Sequence, residues 1–214
     1  MSYLSFSSRW ANYLTDKARL SPEKEIVLTY VIEVLVINLF NVFISLMVGM
    51  LLGVFPGTVA GLFTMALFRH TAGGAHSNSP LRCGVITIAV FPLIALLAEF
   101  LSTIKQPYVD ILSFLAVLTG VVAILLLAPV DSPAAPIISP SRKKKLKILS
   151  LIFMLLLAVI LIAQRQSSWA FARQIQLSIV FSIIWASFLL SKQGHQMFLL
   201  IDKMHLRKLV KGGE

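Results

Sequence analysis

Cysteine is almost missing from this sequence: its 214 residues include one, Cys83. A disulfide within the chain is therefore impossible, and so is a metal site built on several cysteines. Charge is scarce too, at 13% of residues against 57% hydrophobic. Soluble domains carry nearer a quarter charged residues, because water must meet a solvated surface. With a mean hydropathy of +0.87, this chain calls for lipid as its solvent. Acidic residues are the rarest charges, nine against 19 Lys and Arg. The resulting +10 is confined to loops and segments that flank apolar runs. That arrangement suits membrane topology and argues against nucleic acid as a partner. The N-terminal segment lacks an apolar h-region, so no secretory signal is expected. No repeat of about 20–50 residues recurs, which argues against a solenoid.

What is present is a series of long apolar stretches. A transmembrane helix needs about 20 mostly apolar residues, at about 1.5 Å of rise each. The reading is all-α, a polytopic membrane bundle in a single domain over 1–214, with about six transmembrane segments. Amphipathic helices are expected at both ends. Over 3–20, Tyr3, Phe6, Trp10, Tyr13 and Leu14 recur at helical spacing, as in a helix lying in the headgroup region. Ser21-Pro22-Glu23 then supplies a cap, a first-turn proline and an early acid. The segments run about 26–53, 55–68, 84–104, 109–129, 148–163 and 171–190. The second is short for a span, and reads either as a partial helix or as one prolonged by the Gly-containing stretch after it. In the first, Glu33, Asn38, Asn41 and Ser45 share an arc of about 140°, which should face protein. The tail, 192–214, is basic and juxtamembrane, with Met197, Leu200, Ile201 and Met204 on one face.

Charge sets the orientation. With a cytoplasmic N-terminus and six crossings, 16 of the 19 Lys and Arg residues fall inside, and only Lys105, Arg165 and Arg173 lie outside. This positive-inside pattern puts both termini, and the loop from Arg69 to Arg82, in the cytoplasm.

That loop carries the densest chemistry. R-H-T-A-G-G-A-H-S-N-S-P-L-R-C, Arg69 to Cys83, holds the sole cysteine, two of the four histidines, two glycines and two arginines. A cysteine nucleophile works as its thiolate, which is a minor species for a free thiol of pKa about 8.5 at neutral pH. Ser79-Pro80 reads as a helix start, which would set Cys83 in a first turn where amides and the macrodipole favour an anion. Arg69 and Arg82 add positive charge, and His76 is placed to take the thiol proton and return it to a leaving amine. Gly73 and Gly74 permit close backbone approach and are candidates to present amides to an oxyanion. The plainer readings are a small packing cysteine, interfacial histidines (His70, His195, His205) and an ordinary Gly-Gly turn.

Further along, Arg142, Lys143, Lys144 and Lys145 open a basic run. It reads as a topology anchor on anionic lipid or, with Arg82, as a trap for an acidic peptide tail. The proline-rich stretch before it reads as a stiff loop. Within that stretch Asp131 either orients His76 or caps a turn. No metal site and no cofactor are expected.

The Arg69–Cys83 segment resembles the signature of the accessory gene regulator B (AgrB) family of bacterial membrane cysteine endopeptidases. That pattern is an arginine, then Gly-Gly-Ala-His, then a cysteine seven residues after the histidine. Ala128-Pro129-Val130-Asp131 with its prolines and basic cluster is similar to the family too, as is the opening S-P-E-K-E-I. The resemblance implies processing of a short propeptide of the AgrD type into a cyclic quorum-sensing autoinducer, at a bacterial cell membrane. Cys83 would be the nucleophile and His76 the base, with Arg69 and Gly74 in support and a homodimer as the expected assembly. The rival reading is a small transporter or channel, suggested by six spans with Glu33, Asn38, Asn41 and Glu99 inside apolar segments.

Overall fold

The computed structural model describes residues 5–18, 21–130 and 139–211. Within them the helices are α1 Ser5–Ala18, α2 Pro22–Leu51, α3 Phe55–Thr71, α4 Pro80–Phe100, α5 Gln106–Leu127, α6 Pro140–Gln166, α7 Ala172–Leu190 and α8 Lys192–Lys211. A single 3-10 turn, Leu101–Thr103, follows α4, and no strand occurs among the described residues. Five of the eight helices, α2 to α6, carry a proline in their first turn. Proline suits that position because its missing N–H has no intrahelical partner there.

Five helices, α2, α4, α5, α6 and α7, are long and apolar enough to cross a membrane. The short second segment is a continuous helix of 17 residues, α3. It runs the length of the bundle beside α7. Near its start the Gly57 amide donates to Gln174 Oε1 at 3.2 Å. Just beyond its end, the Ala75 amide donates to the Leu189 carbonyl at 2.8 Å. The polar residues Arg69, His70 and Thr71 end the apolar window without ending the helix, because the Arg69 head group finds partners in the following loop.

The fifth segment also differs from its expected bounds. α6 begins at Pro140, so the run Arg142–Lys147 is helical. Ser139-Pro140 provides the start, and Lys, Arg and Leu are good helix formers.

α7 is the central pillar. Of its most apolar 18-residue window 72% is buried, against 22–28% in the other four candidate spans. α3 approaches it closely because Gly57 and Gly61 face Ser178 and Ser182: a Cβ on Gly57 would lie 2.6 Å from Ser178 Oγ, and one on Gly61 2.9 Å from Ser182 Oγ. Without a hydrophobic drive between helices in lipid, such small-residue seams supply the packing. Ile124, Met154, Leu157 and Ile183 close the core between α5, α6 and α7. Large side chains such as Phe43, Phe100, Phe114 and Leu155 point outward, as suits helices whose surroundings are apolar.

The terminal helices dock by narrow faces. α1 lays Ser7, Ala11 and Thr15 in buried positions and leaves Trp10 and Tyr13 exposed. On α8, buried Phe198 is the anchor, whereas Leu200 is exposed. In α2, Glu33 and Ser45 are buried as the helical arc predicts, Asn41 is half-buried, and Asn38 is exposed. Glu99, read from sequence as a polar group within a span, sits in the last turn of α4 and accepts from Gln174 Nε2 at 3.0 Å.

Candidate functional site

The end of α3, the start of α4, the end of α7 and α8 meet at one end of the bundle. Between α3 and α4 the chain turns through Gly73 and Gly74, with φ of +80° and +127°. L-residues with a Cβ rarely adopt such values. Gly73 has a second constraint, since a Cβ there would lie 2.7 Å from the Val130 carbonyl oxygen. The loop that follows is tied to four elements. Its Ala72 carbonyl accepts from the Val130 amide at 2.9 Å, and its Ala75 amide reaches Leu189 at the end of α7. Arg69 Nη1 on α3 donates to the Ala75 carbonyl at 3.1 Å. The fourth tie is to α8.

Asp202 on α8 makes that tie, and sequence reasoning missed it. Its carboxylate accepts from Ser77 Oγ at 2.5 Å and from the Asn78 amide at 3.0 Å, and pairs with Arg82 at 2.7 Å. Burial acts to raise the Asp202 carboxyl. The hydrogen bonds from Ser77, Asn78 and Arg82, with the Arg82 charge, outweigh burial and hold it below its ordinary value of 3.8. One acid therefore fixes the loop from both sides of Ser79.

Ser79 stands at the cap of α4 with extended backbone, as the Ser-Pro pair predicts, although its hydroxyl makes no capping bond. The Ser77 hydroxyl accepts from the Ser79 amide instead, at 3.2 Å. Cys83 follows in the first turn, half-buried, and its own amide already donates to the Ser79 carbonyl at 3.1 Å. Cys83 lines a cavity of about 340 Å³ bounded by α2, α3, α4, α7 and α8, whose walls include Leu35, Asn41, Met65, Arg69 and Ile86. Arg69 Nη2 lies 4.0 Å from Cys83 Sγ, placed to face a negative sulfur.

His76 lines a different cavity, of about 370 Å³, with Arg69, Gly73, Gly74, His195 and Asp202. Its Nδ1 lies 3.1 Å from the Ser77 carbonyl. A carbonyl only accepts, so Nδ1 carries the proton and Nε2 is left as the basic nitrogen of the neutral ring. Among the described residues no hydrogen bond joins Cys83 to His76. Arg69 and Phe198 line both cavities, so Arg69 stands between the two candidate catalytic groups. His195 shares the His76 cavity and bonds through Nδ1 to the Ser191 carbonyl at 2.9 Å.

The remaining candidates are placed as follows. Arg82 is engaged by Asp202. Asp131 lies outside the described residues, but the adjoining Val130 lines the His76 cavity. Arg142, Lys144 and Lys145 are exposed in the first turns of α6, and Lys143 is half-buried. Cations there oppose the helix macrodipole, so their position costs the helix stability rather than adding to it. Among the described residues no group of three or more His, Cys, Asp or Glu gathers as a metal site would require.

Comparison with known proteins now bears on this geometry. The family model for accessory gene regulator B matches residues 7–190. The chain is 25% identical to a putative AgrB-like protein 2 of Clostridium perfringens strain 13, over 90% of this chain and 92% of that one. It is 28% identical to a putative AgrB-like protein of Clostridium perfringens strain SM101, over 81% and 83%. It is 24% identical to the accessory gene regulator protein B of Staphylococcus aureus strain JH9, over 72% and 80%. No solved structure matches the chain.

Proposed function

The chain belongs to the accessory gene regulator B family, and from that premise we propose that it is a membrane cysteine endopeptidase which shortens and cyclises a propeptide of the AgrD type. The family ties it to quorum-sensing peptide processing. The observation that carries the finer reading is Arg69, whose guanidinium reaches Cys83 Sγ at 4.0 Å and fixes the His76 loop through Ala75.

In this reading His76 takes the Cys83 proton, and the resulting thiolate attacks the scissile carbonyl. The imidazolium of His76 gives its proton to the departing amine, and an acyl thioester remains on the enzyme. A substrate cysteine or serine, giving its proton to the now neutral His76, then attacks that thioester, closing a thiolactone or lactone ring and returning the thiolate. Exchange of one thioester for another conserves bond type, and the tethered nucleophile works at high effective concentration. Cys83 and His76 face separate cavities, so a substrate spanning the Arg69 position is what brings them to bear on one bond. Catalytic geometry of this kind commonly tightens only with substrate bound. Gly73 and Gly74 support the site through the backbone conformation they allow. Asp131 remains a proposed orienting group for His76. Arg142, Lys143, Lys144 and Lys145 are proposed, with Arg82, to receive the substrate tail or anionic lipid. The site end faces the cytoplasm in this proposal, on the charge asymmetry of the loops, and the working unit is a homodimer.

Co-expression with a propeptide of the AgrD type, read by mass spectrometry of the peptide, tests the reading. Cleavage is expected to vanish in Cys83→Ala and His76→Ala while protein abundance holds. Persistent cleavage in Cys83→Ala would remove the endopeptidase.

A further inference from the structure

Acyl transfer at Cys83 generates a negative oxygen, and two of the nearby backbone donors are taken. The Cys83 amide is bound by the Ser79 carbonyl, and the Gly73 amide by the Phe68 carbonyl at 3.2 Å. Both glycines line the His76 cavity, not the one that holds the thiol. Thr87 Oγ1 donates to the Cys83 carbonyl at 3.0 Å. An oxyanion in the thiol cavity therefore needs side-chain donors.

Asn41 of α2 supplies one. It lines the Cys83 cavity, and its carboxamide has no hydrogen-bond partner among the described residues. The three atoms nearest a Cβ built on Gly84 all belong to that carboxamide, close enough to collide. Gly84, the residue after the nucleophile, thus makes room for the Asn41 amide, and Asn41 and Cys83 line one cavity. Asn38, His70 and Trp185 also line the cavity, but none of them is among those nearest atoms. Resting on the endopeptidase reading above, we propose that Asn41 is a catalytic residue. Its Nδ2–H donates to the oxygen that becomes negative when Cys83 attacks, in company with Arg69.

A C–S bond forms, and the carbonyl π pair moves onto oxygen, where the Asn41 N–H meets it. That pair returns as the C–N bond breaks, and the departing nitrogen takes its proton from the His76 imidazolium. Asn41 changes neither charge nor protonation. Its contribution is a dipole held ready in a partly apolar cavity, where a hydrogen bond is worth more than in water.

Because Cys83 is the sole cysteine, two small probes separate this role from a structural one in full-length protein in phospholipid nanodiscs. p-Nitrophenyl acetate acylates the thiol through an oxyanion, whereas iodoacetamide alkylates it by displacement without one. After subtraction of the Cys83→Ala background, Asn41→Ala is expected to slow release of p-nitrophenolate about tenfold or more. Asn41→Asp should be slower still, since it presents a negative oxygen at the same place. Asn41→Ala should be alkylated by iodoacetamide at the wild-type rate, since it leaves the charge around the sulfur unchanged. Acylation within twofold of wild type in either variant would overturn the assignment, as would parallel loss of alkylation in Asn41→Ala. If wild-type protein shows no Cys83-dependent acylation at all, the endopeptidase reading itself falls, and this proposal with it.

Discussion

The two ends of the bundle are both polar, and they use their polar groups in opposite ways. At the far end, Gln174 is buried and both faces of its amide are matched, by the Gly57 amide and by Glu99. Arg173 caps the Ile104 carbonyl at 2.6 Å, and Asp110 holds Arg165 at 3.2 Å and Gln106 at 2.9 Å. At the site end, Asp202 likewise matches three donors, but it does so to hold a loop that carries unmatched groups. His76 keeps a bare Nε2, Asn41 a free amide, and Cys83 a thiol met only at 4.0 Å. A satisfied network clamps helices, whereas a braced loop with leftover donors and acceptors awaits a ligand.

Cys83→Ala is expected to abolish propeptide cleavage, while removal of Asp110 at the opposite end (Asp110→Asn) leaves cleavage near wild type, as seen by mass spectrometry. Two glycines with positive φ, Gly53 and Gly73, stand at opposite ends of α3. Gly53, φ +72°, has nothing within 4 Å of a Cβ, whereas Gly73 meets the Val130 backbone. Gly53→Ala therefore carries only local strain, on the order of 1–3 kcal/mol, borne by an exposed turn. Gly73→Ala adds a backbone collision beside His76, and cleavage is expected to fall roughly tenfold or more.

Gln174→Leu should act on stability alone. Leaving its partners unmatched costs about 1–3 kcal/mol, visible as a lower melting temperature, with iodoacetamide reacting at Cys83 at its wild-type rate below the melt. The smallest effect concerns Asp202. Its carboxyl is held below the ordinary value, so its contribution is complete above about pH 4 and fades as pH falls through the lowered value. Hydrogen exchange at the Asn78 amide, as a ratio of wild type to Asp202→Asn, should show protection near neutrality that disappears on acidification. A ratio insensitive to pH would mean that the carboxylate charge does not brace the loop.

Much of this was legible in the residues. Ser21-Pro22 and Ser79-Pro80 mark helix starts that the structure keeps, and the apolar windows recover the spans to within a few positions. The length of α3 was not legible, because Arg69 ends an apolar run yet remains helical by sending its head group to Ala75 and Cys83. The start of α6 was obscured likewise, since a basic run reads as loop until Ser139-Pro140 is weighed beside it. Spacing joins His76 to Cys83 on paper, but seven residues interrupted by a helix start do not define a distance, and the two line separate cavities. Asp202 gave little signal, a lone acid followed by five basic residues, Lys203, His205, Arg207, Lys208 and Lys211. Its meaning depends on where α8 folds back. Asn41 stood out as polar within a span, but only the bare backbone of Gly84 reveals what it leans on.

The seam of Gly57 and Gly61 against Ser178 and Ser182 has a genetic corollary. α3 is held along its length by that fit, and Arg69 rides at its end, eight residues and about 12 Å beyond Gly61. A bulky replacement at either glycine would push the rod away from α7 and carry the guanidinium off the sulfur. A screen for inactive alleles should therefore recover lesions at these two positions, in chains that still reach the membrane at normal abundance.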